Sequence, residues 1–80
     1  MADFVATFFT HYDAMQFKRS LDRRGVTGQM APVPRWLSSS CGTCVRFSLA
    51  EEDISSLPTA ELEMLVQIEE DGHKAVIDNR

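Results

Sequence analysis

The chain has 80 residues, of which 44% are hydrophobic and 25% charged, with eight Lys and Arg against twelve Asp and Glu for a formal charge of −4. This length allows one domain, 1–80, with a thin core, and the apolar content rules out a disordered linker. The acidic balance argues against nucleic acid as a partner, and no stretch reaches the roughly 18 apolar residues of a membrane helix, so no membrane partner is expected.

The first element is Phe4-Val5-Ala6-Thr7-Phe8-Phe9, rich in aromatic and β-branched types. Apolar residues on both faces predict a central strand. Thr10 and Asp13 form a capping box that starts a helix, with Ala14, Phe17 and Leu21 as its inward stripe. Phe4, Phe8, Phe9 and Phe17 are expected in the core. Lys18, Arg19, Arg23 and Arg24 lie toward the helix C-terminus, where the dipole favours cations, and Gly25 is a natural stop.

Val26 to Ala31 predicts a weaker strand, in which Gly28 marks a bulge or a close backbone approach. Pro32 and Pro34 end its ladder. A serine-rich loop follows, and then Cys44 to Leu49 alternates, with Val45, Phe47 and Leu49 on one face. Ser48 and Glu51 offer a second capping box before Pro58. Thr59 to Glu70 predicts a helix with Leu62, Leu65, Val66 and Ile68 inward and the acids Glu61 to Asp71 on a solvated face. Lys74 to Asp78 predicts a last short strand.

Strand, helix, strand, strand, helix, strand is the order of a ferredoxin-like split βαβ sandwich. The expected fold is therefore α+β, a four-stranded antiparallel sheet with two helices on one face. The uncovered face of such a sheet tends to find a partner or a second copy, which points to a homodimer.

Both cysteines, the single tryptophan and two of the three prolines fall in Pro32 to Cys44. Asp3 stands where a secretory signal would be basic, so the expected address is cytoplasmic. In a reducing compartment a Cys-x-x-Cys pair is reactive or metal-binding rather than a structural clamp. Cys41, beside Gly42 and three serines, is the candidate nucleophilic thiol. Cys44 is the candidate resolving thiol, although the strand after it offers no helix dipole to activate the pair. Arg35 and Arg46 flank the pair as candidate anion-binding groups, and Ser38, Ser39 and Ser40 as a candidate anion nest. His11 is either a proton-transfer partner or a surface histidine, and Trp36 either packs the loop down or anchors a partner. A closed metal site needs four ligands, so the two cysteines would need His11 and His73, or a second copy of the chain. No cofactor is implied.

The stretch Pro32-Val33-Pro34-Arg35 followed by Ser38-Ser39-Ser40-Cys41-Gly42 resembles the selenium/sulfur carrier protein-like family of small bacterial proteins, a domain of unknown function. Ala6 to Ala14, Gly25-Val26 and Arg46-Phe47 match its other features, and the resemblance spans roughly residues 4 to 49. Cys44 departs from the small apolar residues usual after the Cys-Gly step. The resemblance implies a sulfur or selenium carrier, with donor and acceptor proteins as partners and Cys41 as the persulfide-type acceptor. The alternatives are a non-catalytic interaction module and a thiolate metal site at a dimer interface.

Overall fold

The apolar run at the N-terminus becomes β1, Ala2–Phe8, the middle strand of a five-stranded sheet. The computed structural model describes residues 1–80. It continues with α1 (His11–Arg23), β2 (Gln29–Pro32), β3 (Thr43–Leu49), a 3-10 turn (Glu51–Ser56), β4 (Leu62–Glu69) and β5 (Gly72–Asp78). The strand order is β2-β3-β1-β4-β5, and every neighbouring pair is antiparallel. β1 and β2 both run antiparallel to β3, so they are parallel to each other. α1 connects them, and the split βαβ arrangement holds in this half.

The four-stranded, two-helix sandwich is corrected in the other half. The segment expected as a second helix is the strand β4, and a tight turn at Glu70-Asp71 leads into a fifth strand. Leu, Glu, Met and Gln in this segment favour a helix, and Leu62, Leu65 and Val66 fit a helical stripe. The stretch Leu62 to Val66 is buried throughout, as happens in an inner strand with both faces covered. Pairing with β1 on one side and β5 on the other overrides the local preference. The only other helical element is the 3-10 turn.

The helix α1 begins and ends as its sequence implies. The Thr10 side chain accepts a hydrogen bond from the Asp13 N–H at 3.2 Å. At the other end the Gly25 N–H donates to the Asp22 carbonyl (3.1 Å) and the Val26 N–H to the Leu21 carbonyl (2.9 Å), a Schellman closure. Gly25 has φ +76°, which a residue with a side chain rarely adopts. Gly28 marks a close approach, since a Cβ there would lie 3.0 Å from Leu21 Cδ1 and 3.3 Å from Val45 Cγ1.

Two sets of side chains are buried on the two faces. Phe4, Ala6, Phe8, Val45, Phe47, Leu62 and Leu65 join Ala14, Phe17 and Leu21 of α1 in one apolar cluster, closed at one end by Ile54 and Leu57. Phe9 does not belong to it: it is 45% exposed at the corner where β1 turns into α1. On the opposite face Val5, Thr7, Cys44, Met64 and Val66 are also buried. The register places Thr7 beside both Cys44 and Met64, and Val5 beside Val66. No helix covers that side. The face expected to be open is instead crossed by the connection between β2 and β3, here called the strap.

Candidate functional site

The strap runs from Val33 to Gly42. The Val33 N–H donates to the Gly42 carbonyl at 3.1 Å, closing its base, and the Leu37 N–H donates to Pro34 O at 3.0 Å, turning its far end. Gly42 has φ +73°, the left-handed step that redirects the chain into β3. The strap leaves the end of edge strand β2, yet its Trp36 ring stacks on His73 of the opposite edge strand β5, with centroids 4.1 Å apart. Trp36 thus packs the loop down across the sheet while remaining 47% exposed. His73 serves this stack rather than a thiol.

The serines are engaged with the protein itself. The Ser39 hydroxyl donates to the Phe8 carbonyl at 3.2 Å. The Ser40 N–H lies 3.3 Å from each oxygen of Glu63, and the Ser40 hydroxyl donates to Glu63 Oε2 at 2.7 Å. Ser38 is exposed beside them. The expected anion nest is therefore already filled, by the chain's own carboxylate.

Glu63 was legible in the sequence only as part of a solvated helix face; it is in fact 3% exposed. It is the extra residue where β4 bulges against β1: Thr7 pairs with Met64 and Phe8 with Leu62, leaving Glu63 between. Burial pushes its carboxyl up, but hydrogen bonding from Ser40, with the nearby hydroxyl dipoles of Ser39 and Thr7, more than offsets this and holds it below the usual carboxylate range. The Thr7 hydroxyl favours the charged form without making a hydrogen bond of normal geometry, and it is the one buried side-chain oxygen left without a partner. A signal for Glu63 did exist: it is a lone acid inside the apolar run Leu62 to Val66.

The two thiols occupy different surroundings, and both are free. Cys41 is half-buried, packs against the rim of the helix-side cluster, and donates to the Thr43 carbonyl at 3.4 Å. Its Sγ also lies 4.0 Å from Ser39 Oγ. With the Ser39 proton given to Phe8 and the Cys41 proton to Thr43, this approach is a contact without a shared proton. Cys44 is 0% exposed on the strap side and donates to the Pro32 carbonyl at 3.7 Å. Burial pushes the Cys44 thiol up; the Arg46 charge opposes this and Cys41 adds to it.

Arg46 projects from the strap side of β3 and lines a groove of about 430 Å³ with Asp3, Gln29, Ser48 and Ile68. Arg35 is exposed on the turn of the strap, and neither arginine makes an ion pair. The structure brings Ser39, Ser40, Cys41 and Gly42 together; Arg35 and Arg46 stand apart from Cys41's hydrogen-bond partners. His11 is exposed at the start of α1. No group of three or more His, Cys, Asp or Glu side chains is placed to hold a metal. A four-thiolate site shared by two copies would need Cys44 at the surface, where it is not.

Residues 3–69 match the family model described as "Putative Se/S carrier protein-like". The chain belongs to this family. The match reaches past the 4–49 span of the motif resemblance and takes in β4 with Glu63, while β5 lies beyond it. Comparison with curated proteins and with solved structures gave no match. Family membership accords with a thiol-relay role and with sulfur or selenium transfer proteins as partners. No helix is long and apolar enough to cross a membrane.

Proposed function

We propose that this Se/S carrier-like chain takes up a sulfane sulfur, or its selenium counterpart, on Cys41 and passes it to an acceptor protein. The observation that carries this reading is the contrast between the thiols. Cys41, in the family's serine–cysteine–glycine motif, reaches the surface, whereas Cys44 is sealed beneath the strap.

The exchange conserves electrons. The Cys41 thiolate attacks the outer sulfur of a donor persulfide, R–S–SH. The donor's S–S bond breaks, and its thiolate leaves and takes the proton that Cys41 gave up. Cys41 then carries –S–SH. An acceptor thiolate attacks that outer sulfur in turn and frees Cys41. Selenium in the outer position follows the same sequence of bonds. Cys44 takes no part in either step, because the closed strap bars its approach and burial disfavours its thiolate.

The loop positions the reacting sulfur. Gly42 places no side chain next to Cys41, and its φ of +73° turns the chain there. The Thr43 carbonyl accepts the thiol's hydrogen bond.

The test is mass spectrometry after incubation with glutathione persulfide. The parent and Cys44→Ser gain one sulfur atom, located at Cys41 by peptide mapping, and Cys41→Ser gains none. Equal labelling of Cys41→Ser overturns the proposal.

A further inference from the structure

The Glu63–Ser40 contact belongs to neither thiol, yet it grips the loop one residue before Cys41. A buried carboxylate is costly unless paired or hydrogen-bonded, so its presence at 3% exposure calls for a reason. The partners it has are both donors of Ser40. Arg80, which shares a small cavity of about 250 Å³ with Glu63 and the three serines, is engaged by Asp78 at 3.1 Å. Glu63 therefore holds its charge mainly through the strap. Its location is equally specific, because the β-bulge turns an extra residue toward the strap at the point where Ser39 bonds the end of β1.

We propose that Glu63 is the positioning residue for Cys41: its carboxylate fixes Ser40, and through Ser40 the placement of Ser39 and Cys41. This rests on the reading of Cys41 as the working thiol. The connection is short. Ser40 is tied to β4 by its backbone and side chain, Ser39 to β1 by its hydroxyl, and Cys41 lies between this double anchor and the start of β3. The carboxylate thus places Cys41 through its grip on Ser40.

The experiment uses the full chain with Cys44→Ser, so that Cys41 is the sole thiol. The rate of alkylation by iodoacetamide is followed against pH for this protein and for the further changes Glu63→Gln and Glu61→Gln, with urea midpoints confirming that each is folded. Glu63→Gln keeps the side chain's size and one acceptor oxygen but removes the charge. Its alkylation is expected to run about threefold to tenfold faster than the parent's across the profile, because the neutral amide grips Ser40 less firmly and loosens the loop around Cys41. The profile of Glu61→Gln, an exposed acid, overlays that of the parent. A merely structural role predicts no such separation among folded variants. A Glu63→Gln profile that coincides with the parent's, or a Glu61→Gln profile that moves as far, overturns the proposal. The alkylation profile needs no sulfur donor. If it moves as expected but glutathione persulfide loads no sulfur onto Cys41, the carrier reading fails and the positioning role stands.

Discussion

One face of the sheet is closed by α1 and the other by the strap, and the side chains beneath them differ in kind. Under α1 lie phenylalanine, leucine, valine and alanine, with three pairs of aromatic rings at 5.3–5.6 Å between centroids. Around the strap lie a thiol, an unpartnered hydroxyl and a buried carboxylate beside Met64, Val5 and Val66. The helix satisfies its own backbone and needs only apolar contact from the sheet. The strap has few backbone bonds of its own, so polar partners on the sheet must hold it. The first face is held by apolar packing, and the second also by polar contacts that reach across from the strap.

That contrast can be broken most severely under α1. Phe8 is 0% exposed and its ring lies 5.3 Å from that of Phe17. Phe8→Ala is expected to cost about 3–5 kcal/mol, enough to unfold much of a domain this small, as read from urea denaturation. A loss below about 1 kcal/mol would mean that the helix face is not the main source of stability.

Acid sharpens the comparison on the strap side. The folded Glu63 carboxyl titrates below its unfolded value, so the unfolded chain takes up the proton first as pH falls. The stabilisation is complete above an unfolded value of about 4.3 and is lost as pH falls through the lower folded value. Thermal midpoints of the parent and Glu63→Gln should therefore differ most near neutrality and converge in acid. A gap that stays constant with pH would show that the carboxylate's charge contributes nothing.

The smallest expected effect has the opposite sign. Thr7→Val replaces the unpartnered hydroxyl by a methyl group of the same shape, removing a buried polar atom that makes no hydrogen bond. A gain of about 0.5–1 kcal/mol in urea denaturation is expected, less whatever the hydroxyl lends to Glu63. A clear loss would mean that Thr7 has a partner, such as a buried water.

Local features were legible where a residue's neighbours in the chain settle its role. Thr10 and Gly25 bound α1 because capping needs only residues a few positions away. The alternation of Val45, Phe47 and Leu49 marked β3, and Cys41 stood out as the motif thiol. The misreadings share one cause. The segment from Thr59 to Glu70 contains good helix formers, and only the sheet on either side of it makes it a strand. Phe9 resembles Phe8 in sequence, but the turn into α1 sends it outward. The spacing of Cys41 and Cys44 says nothing of their surroundings, which differ: one is half-buried in the loop and one fully buried in β3.

The sequence by itself determined the N-terminal strand and capped helix, the motif loop, the family and the thiol in the motif. These follow from short-range hydrogen bonding, periodicity and residue type. Tertiary structure alone decided that the second helix is instead the inner strand β4, and that Ser40 clasps Glu63 rather than an outside anion. Both depend on segments more than twenty residues apart meeting across the sheet, as β1 and β4 do, and Ser40 and Glu63. Burial is a property of that meeting, and it turned an ordinary acid in the chain into the anchor of the loop.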